Sequence, residues 1–388
     1  MSALSPQPSL LAMLNQLIEL PSVSCTQVSI DQSNLPVIER LAEWLGDIDF
    51  KTEIIKIDGY PGRPVKANLI ATLGSGPGGL VLSGHTDTVP YDDHLWNVNP
   101  LKLTEKDNRL YGLGSTDMKG FFPVAIEAAR AFKDEKLSAP LIILATADEE
   151  SSMSGAADLV RIGRPKARCA VIGEPTGLKP IRCHKGMMME SITITGQAGH
   201  SSDPELGNNA MEAMFIVAAD LAQFRSELQA KYQNPLFTTP VPTINFGCIH
   251  GGDNPNRICG SCEMQFDIRP LPGMDNQEVR DAIRQRLAPL AQRLEVKIEL
   301  KSLFPGIPAF ENPADSELTK ACEKLTGHAA SAVSFGTEAP FLQQLGMDTL
   351  IMGPGDIDQA HQPDEYMALD QVQPAIDVLK QLITRFCI

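Results

Sequence analysis

No stretch of this 388-residue chain is apolar for long enough to span a bilayer, so no membrane-crossing helix is expected. No run of Lys and Arg appears either. Against 48 Asp and Glu stand only 33 Lys and Arg, giving a formal net charge of −15. Nucleic acids and anionic membranes select basic patches, so the reading is no nucleic acid and no membrane partner. Internal repeats and low-complexity tracts are absent, which leaves ordinary globular domains. The first residues, "MSALSPQPSLLAMLNQLIEL", lack a basic leader-type start. Leu10, Leu11, Leu14, Leu17 and Ile18 fall at helical spacing, so a surface helix is expected there, not a secretion signal.

Cysteine is sparse and scattered. The eight thiols predict a reduced, cytoplasmic protein. Cys259 and Cys262 form one C-x-x-C, but the following "EMQFDIRP" alternates like a strand. A redox motif needs a helix start and a zinc knuckle needs a second pair. The two are read as ordinary thiols.

The length exceeds one ordinary core and predicts two domains. From "VIERLAEWL" to "CAVIGEP", continuous apolar strands alternate with helical stretches. That pattern predicts an α/β fold with a mostly parallel sheet flanked by helices. After "HKG" the order becomes β-α-β-β-α-β, the signature of a ferredoxin-like α+β domain. The expected organisation is a catalytic domain of residues 1–183 and 302–388, interrupted by an inserted domain of residues 184–301.

Four apolar strands run into polar residues of one chemical type. "GGLVLSG" ends in His85-Thr86-Asp87, and "LYGLGSTDMKG" holds Asp117. "LIILATA" ends in Asp148, Glu149 and Glu150, and "CAVIGE" ends in Glu174. "GPGDIDQAHQPDEY" adds His361. Ligands collect beyond the carboxyl ends of strands in open α/β sheets. Imidazole and carboxylate donors grouped twice around a shared acid suit two close divalent metals. Three adjacent acids repel one another, and two cations above that strand end would make them tolerable. Each residue also has a plainer reading; Asp117, before "MKGFFPVAIEAA", suits the N-cap of the next helix. On an extended segment His85 and Asp87 share a face, so the Asp87 carboxylate is expected to take the second ring N–H of His85. A phosphoesterase would call for basic residues or a glycine-rich cradle, and these strand ends offer neither.

"LSGHTDTVP", "YGLGSTDMKG", "TADEESSMSG", "VIGEPT" and "AHQPDEY" together resemble the two-zinc amidohydrolases of the aminoacylase/carboxypeptidase superfamily. The resemblance runs along nearly the whole chain. "NRICGSCEMQFDIRPLPG" and "GTEAPF" narrow it to the branch acting on acetylated ornithine, beside the desuccinylases of succinylated diaminopimelate. It implies a zinc-peptidase-like catalytic domain with a lid and dimerisation insert. It implies two divalent metal ions per subunit, zinc first and cobalt as the alternative. Asp117 would bridge them, His85 and Glu174 would complete one site, and Glu150 and His361 the other. Glu149 would serve as general base and Asp87 would orient His85. His200 would stabilise the oxyanion across a homodimer interface. Asn256 and Arg269 would lie near the substrate carboxylate and the hinge, although a turn former and a surface ion pair read as well. Glu338 in "SFGTEAPF" would meet the side-chain ammonium of a small N-acyl amino acid, with Thr337 shaping the pocket. Glu338 equally suits the start of the helical "EAPFLQQL". The implied reaction is hydrolysis of N2-acetyl-L-ornithine to L-ornithine and acetate, a step of arginine biosynthesis.

Overall fold

Strands that are apolar at nearly every position must be covered on both faces, and this requirement organises the chain. In the computed structural model, which describes residues 8–57 and 62–388, the chain divides into two compact units. The first comprises Met1–Arg182, Asn312–Ser331 and Glu338–Ile388. The second comprises Cys183–Glu311 with Ala332–Thr337. The inserted unit therefore extends beyond residue 301 and takes up a short later segment as well. Among the described residues, no helix is long and apolar enough to cross a membrane.

In the first unit the strands run in the spatial order Lys51–Lys56, Ala67–Leu73, Leu141–Thr146, Leu80–His85, Cys169–Pro175 and Asp348–Gly353. The last four are mutually parallel, and the first two join them antiparallel. Leu80–His85, Leu141–Thr146 and Cys169–Pro175 are buried at every position. Lys51–Lys56 is mostly exposed and carries Lys51, Glu53 and Lys56, charges that blunt a free sheet edge.

Register sets the height of the strand ends. His85 pairs with Thr146 across the parallel ladder, and Ser83 pairs with Ile172. His85, the acids after Thr146, and Glu174 therefore emerge along one rim. Helix Phe121–Arg130 follows the Asp117 loop and packs against Val372–Cys387 and Leu10–Ile18. Its Phe121 fits where Gly173 has no side chain; a Cβ there would lie 2.1 Å from the ring. A glycine before Glu174 thus lets the helix press against the strand that carries a candidate ligand. The N-terminal helix is amphipathic as expected, with Met13, Leu14, Leu17 and Ile18 in the core.

The second unit has its own core, centred on Ile192, Met214, Leu221, Met264, Phe266 and Ile283. Its order is Met188–Thr195, helix Ala210–Lys231, Thr243–Gly251, Ser261–Arg269, helix Asn276–Arg293 and Lys297–Ser302. That is the expected β-α-β-β-α-β. The strands form one antiparallel sheet with Thr243–Gly251 and Lys297–Ser302 at its edges. Both helices start on side-chain caps. Asn209 accepts from the amides of Met211 and Glu212, and Asp275 from those of Gln277 and Glu278. All eight cysteines are free thiols, and Cys262 sits within Ser261–Arg269.

Candidate metal centre

Two groups of donors share one acid. His85, Asp117 and Glu174 form the first, and Asp117, Glu150 and His361 the second. His85 Nε2 lies 3.0 Å from Asp117 Oδ1 and 4.0 Å from Glu174 Oε1. His361 Nε2 lies 3.3 Å from Asp117 Oδ2 and 3.1 Å from Glu150 Oε2. Asp117 thus presents one oxygen to each imidazole. The alternative role of Asp117 as a helix cap is not adopted, because Gly120 occupies the N-cap of Phe121–Arg130.

Crowding sets the electrostatics. Burial pushes Glu174 up to about 8, with the charges of Asp117 and Glu150 adding to it and His85 opposing. Glu149 is driven well above the usual range by burial and by Glu174, Glu150 and Glu338. Glu150 is raised by burial and Asp117. Burial also opposes the ionised form of Asp117, but hydrogen bonds from both imidazoles hold it well below the usual range. Hydrogen bonding to Asp117 and Glu150 lifts His361 to about 10. Carboxylates in this state are short of positive charge.

The donor set fits divalent metal ions. Glu174 Oε1 is a buried oxygen with no hydrogen-bond partner, and an anion desolvated without a partner is costly. Imidazoles and carboxylates are the ligands of zinc and cobalt chemistry. Glu149 belongs to neither group of three, which leaves its carboxylate for other work.

The profile of peptidase family M20/M25/M40 matches residues 81–385. The chain belongs to this family. An acetylornithine deacetylase of Edwardsiella ictaluri (strain 93-146) is 48% identical over 380 residues, covering 98% of each chain. One from Pasteurella multocida (strain Pm70) is 47% identical with the same coverage. Among solved structures, the M20 metallo-carboxypeptidase Sso-CP2 of Sulfolobus solfataricus superposes with TM-score 0.73 at 17% identity, covering 97% of this chain and 98% of that one. The YXEP protein of Bacillus subtilis, described as a dinuclear metal-binding peptidase, gives 0.67 at 15%, with 97% of each chain covered. The M20 fold is therefore shared even where sequence has diverged.

Within this M20 rim, two expectations need correction. The first concerns Asp87. His85 Nδ1 lies 3.0 Å from the backbone carbonyl of Asp87, while the nearer carboxylate oxygen is 3.8 Å away. His85 ends its strand, so beyond it the rule that places i and i+2 on one face lapses. A carbonyl can only accept, so Nδ1 carries the proton and Nε2 faces Asp117. The Asp87 carboxylate accepts instead from the Glu150 amide, at 3.1 Å. The second concerns the three adjacent acids. Asp148 is balanced by a lysine: Lys66 Nζ lies 2.8 Å from Asp148 Oδ1 and 2.8 Å from Asp31 Oδ1. Burial works against the Lys66 charge, but the two acids prevail and raise its pKa.

Glu338 is buried, and its Oε2 accepts from Thr146 Oγ1 at 2.8 Å. Its Oε1 is buried with no hydrogen-bond partner. It occupies the N-cap position of Ala339–Gln344 without a side-chain capping bond. Burial lifts it to about 7.

The remaining residues named from sequence lie in the second unit. His200 is exposed, and its Nδ1 accepts from the Ser202 amide at 3.2 Å, leaving Nε2 open. Asn256 borders the same turn, its carbonyl accepting from the Ser201 amide at 3.2 Å. Arg269 pairs with Asp267 on its own strand at 3.0 Å, the surface ion pair that its position suggested. Thr337 is buried, and its amide donates to His184 Nε2 at 3.4 Å.

Sequence reasoning missed Lys66 and Glu365. Glu365 is buried, and it accepts from the amides of Gly114, Thr116 and Asp117 at 2.9, 2.8 and 2.9 Å. It thereby fixes the loop that carries the shared acid. Its neighbour Asp364 accepts from the Asn97 amide at 2.8 Å. The only signal in the sequence was proximity to His361 in "AHQPDEY".

Proposed function

We propose that this chain hydrolyses the acetyl amide of N2-acetyl-L-ornithine, releasing L-ornithine and acetate. The observation that carries the reading is the pair of donor groups sharing Asp117, with Glu149 in neither group and within the field of His85, Glu174 and Glu150. Full-length relatives named for this activity support the substrate.

His85, Asp117 and Glu174 would hold one divalent ion; Asp117, Glu150 and His361 would hold the other. Zinc is the first candidate and cobalt the second. When bound, such ions supply Lewis acidity toward an acyl oxygen and toward water. Glu149 accepts the proton of the attacking water and passes it to the departing amine. The Asp87 carbonyl keeps the His85 tautomer, and the Asp87 carboxylate anchors Glu150. His200 supplies an N–H toward the developing oxyanion. Asn256 and Arg269 serve the substrate carboxylate and the hinge. The bare Oε1 of Glu338 receives the ornithine ammonium, with Thr337 next to it in the chain. The cytoplasm is the expected compartment.

A homodimer forms through the second unit. Its edge strand Thr243–Gly251 leaves Ile249 53% exposed, and helix Ala210–Lys231 leaves Phe215 60% exposed. Apolar side chains beside an unpaired strand edge favour a second copy. A fully active monomer in sedimentation would refute this part.

Acetate release from N2-acetylornithine tests the whole reading. Activity is expected to vanish on chelation and return with zinc or cobalt. Faster release from a succinylated substrate, or activity that survives chelation, would overturn it.

A further inference from the structure

Glu149 and Glu150 follow Asp148, and Asp148 is held by a lysine that the proposed reaction does not use. Asp148 has φ 58°, a left-handed conformation that Asp adopts more readily than most residues. Its Oδ1 is ion-paired with Lys66 Nζ at 2.8 Å and accepts from Ser24 Oγ at 2.9 Å. Its Oδ2 accepts from Ser154 Oγ at 2.9 Å. Its carbonyl accepts from the amides of Ser152 and Met153 at 3.0 and 2.6 Å. Lys66, 2% exposed, also donates to Asp31 Oδ1 and to the Gln32 carbonyl at 2.8 and 2.7 Å. Two hydrogen bonds and the ion pair with Asp148 thus surround the Lys66 ammonium.

We propose that Lys66 is a positioning residue that, through Asp148, fixes the turn separating Glu149 from Glu150. This rests on the reading of Glu149 as base and Glu150 as ligand. Besides the serine hydroxyls and the backbone bonds, two charged groups hold the turn. Lys66 holds Asp148, and the Asp87 carboxylate holds the Glu150 amide at 3.1 Å. Without Lys66, the Asp148 carboxylate is a buried charge lacking its cation. Its oxygens must then turn toward other donors or toward water, and that movement loosens the turn. Glu150 then loses its approach to Asp117 and His361. Glu174 lies on the strand Cys169–Pro175, outside this turn, so the group with His85 is spared. The consequence is one-sided: one metal site weakens and the other persists.

Equilibrium dialysis against cobalt(II), with circular dichroism and acetate release, tests this on wild type and Lys66→Met. Wild type is expected to bind two ions. A folded Lys66→Met chain is expected to keep one, with the second weakened by about 10- to 100-fold. Its kcat should fall by a similar factor while KM stays within about threefold, and Lys66→Arg should restore part of both losses. Asp148→Asn, which leaves Lys66 bound to Asp31 and Gln32, should reproduce the one-sided loss. Two ions bound at wild-type affinity in either folded variant would overturn the proposal. So would equal weakening of both ions, or failure of both variants to fold, since each marks a general structural role. A wild type binding fewer than two ions overturns the two-metal reading itself, and that result appears before any variant is compared.

Discussion

The first unit contains two clusters of buried acids, and they differ in how their charge is balanced. Around Lys66 the count closes: Asp31 and Asp148 meet Lys66, and Arg63 stands 3.8 Å from Asp31. Around Asp117 it does not close. Two imidazoles face Asp117, Glu150 and Glu174, with Glu149, Asp87 and Glu338 in the same electrostatic neighbourhood. Buried oxygens without a hydrogen bond occur at Glu174, Asp87 and Glu338 in the open cluster; Asp31 Oδ2 in the closed one also lacks a hydrogen bond, but a cation, Arg63 Nη1, stands 3.8 Å from it. A closed cluster is structure. On the proposed reading, cations would balance the rim acids of the open one and an ammonium would balance Glu338. The run "ADEE" crosses from one cluster to the other between Asp148 and Glu149.

The largest expected effect tests that crossing. Glu149→Ala should bind metal as wild type does while kcat falls by about 10²- to 10⁴-fold, the usual range for losing a general base. Glu150→Ala should instead lose metal affinity first. If the two variants behave alike in metal titration, the division between neighbours is wrong. Next comes Glu338→Gln, read by the rate ratio for N-acetylornithine over N-acetylnorvaline. Removing one member of a buried charge pair should reduce that preference by roughly 30-fold. An unchanged ratio would return Glu338 to the role of a helix-start acid.

The smallest effect is on stability, and its sign follows from the raised acids. Glu338 is lifted to about 7, and Glu174 and Glu365 to about 8, each by burial first. A raised acid binds more protons folded than unfolded, so its contribution is complete below about 4.5 and is lost as pH rises through its folded value. Lys119, lowered to about 7 by burial, works the other way only above that pH. Metal-free protein should therefore melt several degrees lower at pH 7 than at pH 5. Added zinc should raise the melting temperature more at pH 7, because these ligands must shed protons to bind it. A metal-free melting temperature that climbs across this interval would show that the open cluster is already balanced.

Strands buried on both faces announce themselves as apolar runs, which is why Leu80–His85, Leu141–Thr146 and Cys169–Pro175 were legible along with the donors at their ends. What stayed hidden depends on distance along the chain. Nothing in "PVKANLI" tells that its lysine meets an acid beyond Thr146. Glu365 reaches the Asp117 amide across 248 residues. Asp87 misled for a local reason: the extended geometry assumed for His85-Thr86-Asp87 stops at the strand end, so the carbonyl and the carboxylate exchange tasks. Glu338 was legible as an acid in a turn, but its bare oxygen appeared only when the packing was known.

The position of Asp348–Gly353 has a consequence for how the molecule is made. It is the strand beside Cys169–Pro175, yet the ribosome delivers it only after the whole second unit. Until then the growing chain holds an open, largely apolar edge, the kind that invites pairing with another nascent chain. The second unit, nearly continuous in sequence, can complete itself during that interval. His361 and Glu365 arrive later still. The rim can therefore gather both sets of donors only near the end of translation, and a chain stalled before residue 348 would hold an unfinished catalytic sheet.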